Sequence, residues 1–242
     1  MFKLEQHLSK GSVQPRNRIL RSLRHEEYAR LLPFSQTVTL ATGDVLFEAG
    51  DRIAEFYFLD SGMASLLSTT ETGSTIEVGM VGYEGFVGSA LVLKTNTMPY
   101  RSIMQIPGQA TKIKARPVLD QFETNVDLRN LVLRYLHLVL TQVSQSALCN
   151  RFHTLEERLC RWLMISRDII DSDEIPLTQE LLSQMLGVAR TGVTMTAGAL
   201  SQSGLIRYRR GRITISDRAA LADASCECYR IVKQEFDQFL KS

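Results

Sequence analysis

Between Leu177 and Ile215 the hydrophobic positions change period twice. Leu181, Leu182, Met185 and Leu186 fall on one face of a helix, with Thr178 placed as its N-cap. Gly187 breaks the run and supplies a sharp turn. The next run predicts a second helix from Arg190 to Gln202. Val193, Ala197 and Leu200 face inward, and Arg190, Thr191 and Thr194 face out. Gly204 ends it, and Leu205 to Ile215 alternates around Gly211 as strand, turn and strand. Two helices crossing at a glycine, then a hairpin, predict a winged-helix DNA-binding unit. That pattern points to a regulator.

Upstream the pattern is different. Residues 36–120 carry short apolar runs at Val45–Phe47, Phe56–Leu59 and Ala64–Leu67, separated by turn signals and holding nine of the fifteen glycines. This predicts a jelly-roll-type barrel. Gly79, Gly82, Gly85 and Gly88 recur at three-residue spacing. A phosphate cradle is one reading of that spacing, and turn positions needing left-handed backbone are the favoured one. From 123 to 150 the period becomes helical, with Leu128, Leu131, Val132, Tyr135, Leu138 and Val139 on a stripe. A parallel pair of such helices, one from each subunit, would bury this stripe; an internal core helix is the alternative. A further amphipathic helix spans 154–170, with Trp162 as a core anchor, and a last helix runs from Ala219 to Leu240. That last helix is expected on the DNA-binding domain or on the partner subunit. The expected division is a loose extension (1–17), a barrel (18–122), a dimerisation helix (123–150) and a winged-helix domain (151–242), an α+β fold.

Charge follows the same division. Six arginines against two acids leave 177–218 at +4, whereas the whole chain is at +2 and residues 36–120 are at −3. Phosphate contacts need such a local excess. Arg207, Arg209, Arg210 and Arg212 on the hairpin, with Thr178 at the first helix's start, are the expected phosphate contacts. A solvated charged hairpin is the plainer reading of the arginines alone.

No apolar run approaches the roughly 18 residues of a spanning helix, and Met1 to His7 lack an apolar signal core. A cytoplasmic protein with no membrane partner is expected. Cys149, Cys160, Cys226 and Cys228 then read as reduced thiols. Cys226 and Cys228 lack the two-residue spacing of zinc and redox pairs, and His7, His25, His137 and His153 are scattered, so no metal site is expected. No nucleophile elbow, P-loop or dinucleotide fingerprint stands in the chain, which argues against an enzyme.

A glycine-rich barrel, a long helix and a winged helix in this order resemble the Crp–Fnr family of bacterial transcription regulators. The resemblance covers roughly residues 18–218. It is carried by Gly43–Asp51 with Phe56–Gly62, by Gly82–Gly88, and by Leu177–Gly211. It implies a homodimer on a palindromic operator, double-stranded DNA and RNA polymerase as partners, and a barrel that senses a signal. Three positions of the family's recognition helix contact bases, commonly arginine, glutamate and arginine. Here they are Arg190, Thr191 and Met195, with Thr194 beside them. Arg190 suits guanine O6 and N7, while Thr191 and Met195 depart from the pattern and imply a different operator. Ala189 stands where a capping serine is usual. In nucleotide-binding members a glutamate follows the glycine matching Gly88, and an arginine and a hydroxyl residue hold the cyclic phosphate. Here Ser89 replaces the glutamate, and Arg101 and Ser102 resemble the pair. The lost carboxylate argues against cyclic AMP and leaves an unidentified small molecule as the effector. The N-terminus also lacks the cysteine cluster of iron–sulfur members. The rival readings are a small-molecule sensor, or a thiol- or metal-responsive one acting through the four cysteines, with DNA binding secondary.

Overall fold

A computed structural model describes residues 15–241. Two short helices, α1 (Arg18–Ser22) and α2 (His25–Leu31), precede the barrel. Asn17 caps α1 by accepting from the amides of Ile19 and Leu20. Its Nδ2 donates to the carbonyls of Leu59 and Gly85 at 2.9 and 2.7 Å. The expected loose extension is therefore corrected at its end, because Pro15 and Asn17 are buried in the body. The rest of that extension, residues 1–14, lies outside the described residues.

The barrel is a sandwich of two four-stranded antiparallel sheets. Its strands are β1 (Ser35–Leu40), β2 (Val45–Phe47), β3 (Glu55–Leu59), β4 (Met63–Thr69), β5 (Thr75–Val81), β6 (Phe86–Val87), β7 (Arg101–Ile106) and β8 (Gly108–Lys114). One sheet runs β1-β8-β3-β6 and the other β2-β7-β4-β5. Phe56, Phe58 and Phe86 pack ring against ring inside it, with Phe56 and Phe86 edge-on at 5.4 Å. Of the four spaced glycines only Gly88 has a left-handed backbone (φ 119°). Gly82 and Gly85 serve close approach instead, since an added Cβ would meet Ile169 Cγ2 at 2.2 Å and Tyr135 Cε2 at 2.0 Å. The two do bracket a turn, the Gly85 amide donating to the Gly82 carbonyl at 3.1 Å, but without the left-handed backbone expected of it.

A helix α3 (Ala115–Thr124) leads into the long helix α4 (Val126–Phe152), which Asn125 caps by accepting from the Leu128 amide. The stripe chosen for dimerisation faces inward. Leu128, Leu131, Val132, Tyr135 and Leu138 are buried in their own subunit, and Val139 is half-buried. Helical spacing marks a buried face without saying what covers it, and here the covering element is the chain's own barrel and C-terminal helix. The internal-core reading holds for this stripe. A different face is open. Val126, Leu133, Leu140 and Ala147 stand exposed at seven-residue spacing, with Leu148 beside them.

The C-terminal domain starts with α5 (Leu155–Ile170), capped by a Thr154–Glu157 capping box. β9 (Glu174–Pro176), α6 (Gln179–Leu186), α7 (Arg190–Gln202), β10 (Ile206–Arg209) and β11 (Arg212–Ile215) follow. The small sheet runs β10-β11-β9. The single C-terminal helix expected from Ala219 is instead two, α8 (Arg218–Asp223), capped by Asp217, and α9 (Glu227–Lys241). The break keeps Cys226 and Cys228 buried at the start of α9. α9 lies on α4 of its own chain, and Phe236 and Phe239 meet Tyr83 and Tyr135.

Candidate nucleic-acid interface and sensor barrel

α6 and α7 cross where the sequence places the turn. Thr178 Oγ1 accepts from the Leu181 amide at 3.3 Å, and Gly187 ends α6 in the left-handed region at φ 63°. Val193, Ala197 and Leu200 of α7 are buried, which fixes its rotation. Thr191, Thr194 and Met195 then share the outer face, with Met195 76% exposed. Arg190 opens the helix; its guanidinium is 3.9 Å from Glu180 and largely exposed, a pair loose enough to yield to a base edge. Ala189 makes no capping bond. Thr194 Oγ1 lies 2.8 Å from Gln179 Oε1 and 3.0 Å from the Arg190 carbonyl, so one hydroxyl proton serves helix and neighbour. Gln179, at the first turn of α6, went unnoticed in the sequence because a lone glutamine carries no pattern.

The wing is a two-residue hairpin. Arg209 pairs with Arg212 across it, and Arg210 and Gly211 both have positive φ, 44° and 75°. The Leu177 amide donates to the Gly211 carbonyl at 2.8 Å, which holds the wing tip beside Thr178. Arg212 meets Glu174 at 3.5 Å and Arg207 Nε donates to Ser216 Oγ at 3.3 Å. Among the described residues neither Arg209 nor Arg210 makes an ion pair. Recognition face and wing thus present cations with little internal neutralisation.

The barrel residues are arranged less simply. Gly88 precedes a short 3₁₀ turn whose Ser89 hydroxyl lies 3.0 Å from the Tyr100 hydroxyl. Arg101 opens β7 and pairs with Glu48 Oε2 at 3.1 Å. Ser102 is buried, and among the described residues its hydroxyl has no partner; both amide atoms of buried Gln105 also lack one there. Buried polar groups of this kind are ones that ordinarily bond a water or a ligand. Ser89 stands at the position where the family resemblance expects a glutamate.

The fold also brings together four side chains that the sequence leaves apart: Cys149, His153, Cys226 and Cys228 have their ligand atoms all within 4.8 Å of one another. The residues come from segments more than 70 apart, so no spacing rule could pair them. No helix among the described residues is long and apolar enough to cross a membrane.

A sensor-type barrel joined by a long helix to a helix-turn-helix with an arginine wing defines a DNA-binding transcription regulator. Comparison with known proteins agrees. Residues 37–125 match the cyclic nucleotide-binding domain family, and residues 157–224 match the Crp-like helix-turn-helix domain family. The chain is 25% identical over 192 residues to the global nitrogen regulator of Synechococcus elongatus, covering 74% of this chain and 85% of that one. Two solved structures share the fold. One is a transcriptional regulator of the Crp/Fnr family from Eubacterium rectale (TM-score 0.64, 16% identity, 84% of this chain and 94% of that one). The other is FixK2 from Bradyrhizobium japonicum (TM-score 0.68, 12% identity, 79% and 98%). The chain belongs to the Crp–Fnr family of transcription regulators.

Proposed function

We propose that the chain acts in the cytoplasm as a homodimer, inserting α7 of each subunit into successive major grooves of a two-fold symmetric operator. The observation that carries this is the exposed face of α7 bearing Arg190, Thr191, Thr194 and Met195, together with a wing whose Arg209 and Arg210 make no ion pair among the described residues. Arg190 reads a guanine, Thr191 and Met195 offer apolar contact to a thymine methyl, and Thr178, Arg207, Arg209, Arg210 and Arg212 grip phosphates. Pairing uses the open face of α4 rather than its buried stripe. Val126, Leu133, Leu140 and Ala147 repeat every seven residues, the period at which two helices supercoil. Two recognition helices about 34 Å apart then match one turn of DNA.

The barrel holds a small molecule other than cyclic AMP. Gly88, Ser89, Arg101 and Ser102 border the site, and the orphaned Ser102 and Gln105 atoms supply its unfilled hydrogen bonds. The effector works by binding the DNA-competent dimer more tightly than the incompetent one. RNA polymerase is the further partner, and the chain has no catalytic role. Selection of bound sites from random duplexes, followed by footprinting, tests the reading. It expects an inverted repeat with half-sites one helical turn apart; a single asymmetric site occupied by one chain would refute it.

A further inference from the structure

The cluster at the end of α4 lies outside both the DNA interface and the barrel. Cys149 and His153 are one helical turn apart at the C-terminus of α4, so their side chains share a face. Cys226 and Cys228 bracket Glu227 where α9 begins. Cys226 Sγ lies 3.5 Å from Cys149 Sγ, and Cys228 Sγ lies 3.6 Å from His153 Nδ1. Tetrahedral zinc, bonded to sulfur at about 2.3 Å and to nitrogen at about 2.0–2.1 Å, has an S···S edge of about 3.8 Å and an S···N edge of about 3.6 Å. Both measured edges are close to these values, and the remaining ligand atoms lie within 4.8 Å of one another. A disulfide would instead require Cys149 and Cys226 to close to about 2.05 Å and would leave Cys228 and His153 without a role.

Two neighbours favour a metal. His153 Nε2 stands 3.3 Å from Glu227 Oε2, so donating that proton to the carboxylate leaves the Nδ1 lone pair facing the thiols. Behind the cluster, Arg161 of α5 is 5% exposed; among the described residues it bonds Ser146 Oγ, at 3.4 Å, while its Nε has no partner. Among the described residues it makes no ion pair; its charge acts on Cys149 and Cys228, and on Glu77, whose carboxyl burial pushes up to about 7. A buried guanidinium needs a counter-charge. Three thiolates around a dication leave a net −1, which supplies it.

We propose that Cys149, His153, Cys226 and Cys228 form a closed tetrahedral site for one zinc-class divalent ion. Cys149, Cys226 and Cys228 are buried to within 4%, which leaves no open coordination position and makes the site structural. Its place in the fold gives it a second consequence. The site fastens α9 to the joint at His153 and Thr154, where the chain leaves the long helix and enters the DNA-binding domain. Binding releases the thiol protons, so metal affinity rises with pH.

The test is a titration of the full-length, chelator-treated and reduced protein with Co²⁺ under anaerobic conditions. One equivalent is expected to give sulfur-to-metal charge transfer and the strong d–d bands of a tetrahedral site, both lost when Zn²⁺ is added. Cys228→Ser is expected to weaken Co²⁺ binding at least tenfold, and His153→Gln to shift the d–d bands. Cys160→Ser, a buried thiol outside the cluster, leaves stoichiometry and spectrum unchanged. Far-UV circular dichroism establishes that each variant is folded; His153, at the margin of the cage, is the substitution least disruptive to packing. Absence of a tetrahedral spectrum at stoichiometric Co²⁺ overturns the proposal. So does a spectrum that persists unaltered in folded Cys228→Ser and His153→Gln.

Discussion

Trp162 of α5 donates its indole Nε1–H to Glu77 Oε1 of β5 at 2.8 Å. The chain's one tryptophan thus reaches out of the DNA-binding domain into the barrel, and both partners are buried. The Ser65 hydroxyl bonds the other carboxylate oxygen. Sequence reading took Trp162 as an anchor of its own domain; it is also the bolt between the two.

Burial pushes the Glu77 carboxyl up to about 7, against the opposing pull of its bonds to Ser65 and Trp162 and of the Arg161 charge. Glu84, buried and with one oxygen unpartnered among the described residues, is likewise raised to about 7 by burial. The unfolded chain loses these protons near the ordinary 4.5, while the folded protein holds them to about 7. Their contribution to stability is therefore full below pH 4.5 and falls as pH rises through 7. Glu77→Gln keeps an acceptor for Trp162 and cannot ionise. Urea melts at pH 5 and pH 8 should show the variant gaining on the order of 2 kcal/mol over wild type at the higher pH. Parallel stability–pH curves would show that Glu77 is not held protonated.

Arg190→Ala should cost about 1–3 kcal/mol at one base position and relax discrimination there. Arg210→Gly is expected to behave differently. It removes a cation from the wing tip and also a non-glycine residue held at φ 44°. Affinity should fall equally on all sequences, and the slope of log K against log salt should drop by about 1. Thermal stability should rise slightly. Binding isotherms at several salt concentrations separate the two; equal loss of base discrimination in both variants would contradict the division between reading helix and wing.

The two faces of α4 give opposite predictions. Leu133 and Leu140 are 50% and 64% exposed, so Leu133→Asp with Leu140→Asp should leave a folded chain that sediments as a monomer. Leu138 is 4% exposed, and Leu138→Ala should cost about 2–4 kcal/mol of stability with association intact. A Leu133/Leu140 double variant that remains dimeric would place the interface elsewhere.

What the sequence disclosed depended on the range of the interaction. The α6–turn–α7 unit and its hairpin were legible because Thr178, Gly187, Gly204 and Gly211 mark boundaries locally, and because α7 has only one apolar face. The barrel was legible from its turns. Long-range partners were not. The stripe from Leu128 to Val139 is the same whether a barrel or a second subunit covers it. Cys149 and Cys226 are 77 positions apart, and only the packing of α9 on α4 joins them. Asn17 was lost in a polar segment because its partners, Leu59 and Gly85, lie 42 and 68 positions away.

Gly85 offers the sharpest steric test. A Cβ there would stand 2.0–2.4 Å from Tyr135 Cε2, Cζ and Oη. The ring has no easy retreat, because Tyr135 Oη donates to the Phe86 carbonyl at 3.0 Å and its ring packs 5.0 Å from Phe86. Gly85→Ala must therefore move β6 or α4, at about 1–3 kcal/mol or somewhat more. Gly198 on α7 is the opposite case, with nothing within 4 Å of an added Cβ and no unusual backbone. Gly198→Ala should instead stabilise the helix by about 0.5–1 kcal/mol. If the Gly85 cost comes from the tyrosine, Tyr135→Leu should recover a good part of it, and a double-mutant cycle in urea reads that coupling directly. Additive effects of the two changes would mean that the glycine is needed for the turn rather than for the ring.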